Sequence, residues 1–194
     1  LENMIDVEAE IARMEAELRC ANEELLAMSE TDGLTNLANR RKFDLAYESE
    51  WERALRLQQP MAVVILDGDD FKQYNDRYGH QVGDACLRTL AHVLREHARR
   101  AMDVAARYGG EEFALILPGM TGAEAALLAE EVRRVFEQTG IEHEVVGRGN
   151  VVTLSAGVAS LVPARNASRY DLLSAADAAL YAAKASGKNA VVLA

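Results

Sequence analysis

Cysteine is nearly missing from this chain of 194 residues: only Cys20 and Cys86 occur, far apart and in unlike contexts. Neither a disulfide framework nor a cysteine metal pair is indicated, and a cytoplasmic location fits best. Any longer protein could still be membrane-attached through upstream segments. No apolar run approaches the length of a bilayer span, and the start lacks the basic-then-apolar profile of a signal peptide. Positive charge is also scarce: 21 Lys and Arg against 31 Asp and Glu leave a net charge of −10. A general nucleic-acid binder needs a basic face to neutralise phosphates, so that class is excluded, and any phosphate ligand must meet a local basic cluster. The histidines, at 80, 92, 97 and 143, show no paired metal-ligand spacing. Internal repeats and low-complexity segments are absent as well.

What is there begins with 49% hydrophobic residues, enough for one sizeable core with an appendage. The appendage is residues 1–30. Met4, Ile11, Leu18 and Leu25 at heptad position a, with Val7, Met14, Ala21 and Met28 at d, form a narrow seam on a charged helix. A homodimer through this coiled coil is expected. Glu10 at g faces Glu15 at e of the other helix without an opposing base, so the coiled coil is expected to be marginal. The chain opens on Leu1 inside the helical pattern, which points to an upstream sensor domain.

Residues 31–194 read as a second domain. A helix through FDLAYESEWERALRLQQ precedes a buried strand, MAVVILD. A short helix through FKQYNDRYG and a longer one beginning near Gly83 follow. Next come strand VAARY, a Gly109–Gly110 turn and strand EFALILPG. Helix TGAEAALLAEEVRRVFEQ, strand VVTLSAGVAS, helix ASRYDLLSAADAALYAAKAS and strand AVVLA complete the order. Strands alternating with helices around one local hairpin give an α+β or α/β sandwich with a mixed, largely antiparallel sheet.

The strand MAVVILD ends in Asp67, Asp69 and Asp70, and the hairpin tip carries Glu111 and Glu112. If the two strands are neighbours, these carboxylates converge at one sheet edge and repel unless cations sit between them. Hard divalent ions such as Mg²⁺ prefer that setting and keep phosphate oxygens as further ligands. A nucleoside triphosphate site follows, with metals that polarise phosphate and activate an attacking hydroxyl. Gly110 then has a second use, since no side chain hinders backbone approach to phosphate.

The motifs DGLTNLANRRKF, DGDDFK, NDRYGHQVGD, RYGGEEF, VTLSAGV and ADAALYAAKASGKN stand in this order. Together they resemble the GGDEF-domain diguanylate cyclases, from Thr31 to Leu193. The resemblance implies an α+β, palm-like nucleotidyl cyclase fold that joins two GTP into cyclic di-GMP and two pyrophosphates. By matching positions it implies that Asp67, Glu111 and the main-chain carbonyl of Gly68 bind two Mg²⁺ per active site, a place Mn²⁺ can also fill. Glu111 is also the candidate base for the ribose 3′-hydroxyl. Asn75 and Asp84 correspond to the guanine-reading pair, and the chemistry agrees, because a carboxylate accepts from N1–H and the amino group while an amide complements it. The plainer reading of Asp84 is a helix N-cap after Gly83. Lys72, Lys184 and Lys188 match triphosphate contacts. Arg100 and Asp103 resemble the family's R-x-x-D inhibitory site for cyclic di-GMP, against the alternative of an i,i+3 ion pair at a helix end.

Three positions depart from the family pattern. Lys188 stands where arginine is common and cannot form arginine's bidentate fork. Gly68 replaces a bulky aliphatic residue, and Asn36 replaces glycine. None removes a catalytic group. Readings from other classes are a catalytically silent module that binds GTP or cyclic di-GMP, and a small template-independent nucleotidyltransferase.

Overall fold

The computed structural model describes residues 13–15, 17–19, 30–144 and 150–194. The chain divides into two units, Leu1–Glu30 and Thr31–Ala194. In the first, residues 13–15 and 17–19 are helical and Arg13 Nε donates to Glu17 Oε1 at 3.0 Å, one turn on. Of the heptad seam only Met14 and Leu18 can be placed, both largely exposed. The remaining seam positions lie outside the described residues. No helix among the described residues is long and apolar enough to cross a membrane.

The second unit runs α1 (Arg40–Leu57), β1 (Met61–Gly68), α2 (Phe71–Tyr78), α3 (His80–His97), β2 (Val104–Gly109), β3 (Glu112–Pro118), α4 (Gly122–Gln138), β4 (Leu154–Leu161), α5 (Arg169–Ala185), β5 (Val191–Leu193). The strands form one sheet in the order β2-β3-β1-β4-β5, with β4–β5 parallel and the other pairs antiparallel. β1 is central, which explains its unbroken apolar run: both of its faces are covered. Ala62, Val64 and Leu66 point into a core with Phe71, Leu90, Leu94 and Phe136 from α2, α3 and α4. Met61, Val63 and Ile65 point the other way, against Phe43, Trp51, Leu172 and Leu180 from α1 and α5. Each such fully buried large side chain contributes about 1.5–3 kcal/mol.

Helix ends follow their sequences. Asn39 caps α1 by accepting from Lys42 N at 2.9 Å, and Thr121 with Glu124 forms a reciprocal capping box on α4. α5 lies close on β4 because Gly157 has no side chain: a Cβ there would stand 2.1 Å from Ala176 O and Leu180 N. Asn36 adopts φ 55°, so the departure from glycine keeps a left-handed position in the hands of the residue that best tolerates it after glycine.

Three expectations need correction. α3 begins at His80 with Gly79 as its cap, φ 85°, so Asp84 lies inside the helix and caps nothing. The hairpin turn is Gly110–Glu111 and not Gly109–Gly110, since Gly109 pairs with Glu112 after a register shift at Arg107. β4 begins at Leu154, while Val151 makes only an isolated bridge to Glu142.

Candidate active site

β1 carries Asp67 to the sheet edge directly opposite Glu112 of β3, so the two carboxylates share a face. The turn residue Glu111 adds a third charge beside them. Burial pushes the Asp67 carboxyl above its ordinary pKa; the Lys184 ammonium opposes this, and the charges of Glu111 and Glu112 add to it. Lys184 Nζ, from the last turn of α5, stands 2.8 Å from Asp67 Oδ1. That contact is an ion pair, and the buried Asp67 Oδ1 has no other partner among the described residues. One ammonium thus faces a cluster of carboxylates, and a cation already stands where Asp67 presents this oxygen.

The strand-end acids do not act alike. Asp69 is turned inward: it accepts from Thr153 Oγ1 at 2.7 Å, Ser155 Oγ at 2.7 Å and Asn189 N at 2.9 Å. Asp70, in the left-handed region at φ 55°, receives the Lys188 ammonium. Of the three, Asp67 alone has a buried carboxylate oxygen held by an ammonium and by no other partner among the described residues. The expectation of a three-acid strand end therefore narrows to one aspartate meeting the hairpin glutamates.

The hairpin is held from behind. Arg107 Nε donates to Gly110 O at 2.9 Å, and its Nη1 lies 3.3 Å from both Asp32 oxygens. Asp32 in turn accepts from Thr35 N and Thr35 Oγ1. The segment 31–38 is thereby fastened to the turn that carries Glu111. Sequence reading missed this clip, although an arginine in RYGGEEF and an aspartate in DGLT were its two signals.

Asn75 and Asp84 sit on the adjoining helices α2 and α3. Gly83 makes their approach feasible, since a Cβ on it would meet Asn75 Oδ1 at 1.8 Å. Asn75 Oδ1 is buried and has no partner among the described residues. Lys72 is exposed in the first turn of α2, and Lys188 follows α5 at φ 66°.

Arg100 and Asp103 meet in the turn between α3 and β2. Arg100 N donates to Asp103 Oδ2 at 2.9 Å, whereas the guanidinium turns to Pro118 O at 3.0 Å. The pair is thus not an i,i+3 side-chain ion pair. Asp103 Oδ1 is buried and unpartnered among the described residues, and burial raises its pKa against the opposing effect of Arg100.

Buried side-chain oxygens and nitrogens without partners occur, among the described residues, on Asp67, Asn75, Asp103 and His143. Such atoms are costly and uncommon in a folded chain. The first three were singled out from sequence as metal, base and inhibitor contacts. His143 was not: it lies edge-on to Tyr74 and Tyr78, and its burial disfavours the imidazolium.

The donor set at the β1 end fits a hard divalent cation, because the buried Asp67 oxygen already faces a cation, Lys184, beside further carboxylates. No three His, Cys, Asp or Glu side chains converge in metal-holding geometry among the described residues.

This largely antiparallel sheet, with its acidic edge formed by the β1 end and the β2–β3 turn, is a GGDEF fold. The chain belongs to that family: the model described as diguanylate cyclase, GGDEF domain, matches residues 29–190. It is 38% identical over 185 residues to the bifunctional diguanylate cyclase/cyclic di-GMP phosphodiesterase MucR of Pseudomonas aeruginosa, covering 94% of this chain and 26% of MucR. It is 40% identical over 169 residues to the response regulator PleD of Caulobacter vibrioides, covering 86% of this chain and 36% of PleD. The chain therefore spans only a minor part of these curated relatives. Among solved structures, the coiled coil and GGDEF domain of DgcB from Caulobacter crescentus, in complex with c-di-GMP, superposes with a TM-score of 0.78 at 35% identity, covering 97% and 99% of the two chains.

Proposed function

We propose that this chain is a diguanylate cyclase that condenses two GTP into cyclic di-GMP and two pyrophosphates. The observation that carries the reading is the buried Asp67 oxygen, matched only by the Lys184 ammonium and set beside the like charges of Glu111 and Glu112. The relatives named above, one of them solved with c-di-GMP, support the same substrate class.

In this reading Asp67, Glu111 and the Gly68 carbonyl hold two Mg²⁺, or Mn²⁺, per site. Bound there, the ions supply positive charge to the phosphate oxygens and make the ribose 3′-hydroxyl more acidic. Glu111, at the tip of a turn anchored by Arg107, takes the 3′-hydroxyl proton as the 3′ oxygen bonds to the α-phosphorus of the second GTP and pyrophosphate departs. A second such closure completes the ring. Asp84 accepts from guanine N1–H and the amino group, and Asn75 supplies the complementary amide; adenine presents a different edge. Lys184 and Lys188 exchange their aspartate partners for triphosphate oxygens, assisted by Lys72, and bare Gly110 admits the phosphates to the turn backbone. These three lysines are the local basic cluster that an acidic chain needs for a phosphate ligand.

Two loaded domains must meet, so the 1–30 helix acts as a homodimerising coiled coil linked to an upstream sensor, with the cyclase domain at 31–194. Product bound at Arg100 and Asp103 holds domains apart and inhibits. Incubation with GTP and Mg²⁺, followed by chromatography, yields cyclic di-GMP in this reading, and ATP gives no cyclic dinucleotide. A chain that binds GTP but forms no product under these conditions is a silent binding module instead.

A further inference from the structure

The loop that carries Lys188 has an uncommon backbone. Gly187, Lys188 and Asn189 all have positive φ, at 126°, 66° and 47°. Two successive non-glycine residues persist in the left-handed region only where their surroundings fix them. Lys188 N donates to Ala183 O at 3.1 Å across the helix end, and Asn189 fixes the far side of the loop. Its Oδ1 accepts from Arg133 Nη1 at 2.6 Å, and its Nδ2 donates to Glu137 Oε1 at 2.8 Å. Its backbone N–H is held by Asp69 at 2.9 Å. The two side chains that grip the amide come from one face of α4 and are joined to each other, Arg133 Nη1 to Glu137 Oε2 at 2.9 Å. Arg133 is also steadied by Glu130 through two further bonds and is only 13% exposed.

The amide of Asn189 is therefore matched at both ends, acceptor to guanidinium and donor to carboxylate. Neither Arg133 nor Glu137 is one of the candidate site residues; they reach the site through Asn189, which adjoins Lys188. A lysine on a loose loop loses freedom when it grips phosphate, and a loop already fixed avoids that loss.

We propose that Arg133 and Glu137 are positioning residues for nucleotide binding, locking the Asn189 amide so that Lys188 is held where the triphosphate arrives; this rests on the assignment of Lys188 to the triphosphate. The clamp explains how lysine serves where a bidentate arginine is usual in the family: the loop supplies part of the order that the side chain lacks.

The test exploits amide polarity, with the full chain, Mg²⁺ and a GTP analogue carrying an α,β-methylene bridge. Asn189→Asp tolerates the left-handed backbone and keeps the Arg133 bond, but it sets a carboxylate against Glu137. Adding Glu137→Gln restores complementarity, since the amide introduced on α4 donates to the carboxylate introduced in the loop and accepts from Arg133. Asn189→Asp is expected to weaken analogue binding by calorimetry, and to raise KM for GTP, about 10-fold with kcat within about twofold; the double variant returns to within about twofold of the parent. Lys188→Ala weakens binding by a similar factor. Parent-like binding by Asn189→Asp, or a double variant no better than Asn189→Asp, overturns the clamp. If Lys188→Ala binds as the parent does, the assignment of Lys188 fails and the clamp falls with it, an outcome distinct from weak Lys188→Ala with unaffected Asn189→Asp. Should Asn189→Asp not fold, Arg133→Lys decides: its ammonium cannot serve Asn189, Glu130 and Glu137 together, so binding weakens about threefold or more, and parent-like binding overturns the proposal.

Discussion

Asp67 and Asp69 stand two residues apart at one strand end, both buried, and the fold treats them in opposite ways. Asp69 accepts three hydrogen bonds, from Thr153, Ser155 and Asn189, and ties β4 and the loop before β5 to the end of β1. Asp67 has a cation within 2.8 Å but an oxygen with no hydrogen bond among the described residues, and like charges beside it. A carboxylate with complete partners is scaffold, and one left incomplete in the same surroundings is kept for a ligand. The contrast predicts that substitutions at the two positions fail in different ways.

The largest effect is expected on turnover at the incomplete site. Asp67→Asn and Glu111→Ala each lower cyclic di-GMP formation at least about 100-fold, by loss of charge that the reaction needs. Circular dichroism stays unchanged. Stability moves the other way for Asp67→Asn. In the folded chain burial holds the Asp67 pKa above its unfolded value, so the ionised form is penalised in the fold; that penalty is full above the folded pKa and fades as pH falls toward the unfolded one. Asp67→Asn therefore melts higher than the parent at about pH 7, and the two midpoints converge toward about pH 4. A lower midpoint for Asp67→Asn at neutral pH would break the comparison.

Asp69→Ala comes next and acts on the fold. It strands the buried Ser155 hydroxyl, the partly buried Thr153 hydroxyl and the Asn189 N–H, for a loss of about 3 kcal/mol in denaturant unfolding. Activity falls only as the folded fraction falls and as the Lys188 loop loosens. A variant of parental stability would show that Asp69 is not the strut its hydrogen bonds make it.

Composition could not separate these aspartates, because DGDD presents them as one acidic cluster; only the motif resemblance singled out Asp67, and it gave Asp69 no structural part. Their difference arises from partners far along the chain, Thr153, Ser155 and Asn189, which no local pattern connects to position 69. By contrast, the order of strands and helices was legible because each has its own apolar pattern, and α1, α4 and α5 begin at side-chain caps. Boundaries slipped where conformation and composition part company: α3 starts after Gly79, whose φ of 85° no periodicity reveals, and Glu111 enters the turn because a register shift keeps Gly109 in β2. The candidate site residues were legible through motif spacing. The groups that hold them, Arg107 on the hairpin and Arg133 with Glu137 on Asn189, were not, since each acts across elements.

The smallest effect expected concerns a second incomplete group, Asn75, and it sharpens the comparison because no charge is involved. Gly83 lies within α3, where Ala would favour the helix by about 1 kcal/mol. Its Cβ, however, would fall 1.8 Å from Asn75 Oδ1 and 3.0 Å from Asn75 Cγ. Those atoms end a side chain that can rotate away, so the fold survives Gly83→Ala while the amide leaves the place set for it. The buried Oδ1 has no partner to lose among the described residues, so displacement costs the fold little. If the amide reads guanine, its departure appears in selectivity: the thermal midpoint stays level or rises slightly, KM for GTP increases about 3–10-fold, and discrimination against ATP in competition kinetics loosens. Unchanged discrimination together with a parental KM would mean that Asn75 is incomplete for some reason other than base recognition, and that an unpartnered buried atom marks a ligand contact only where charge accompanies it.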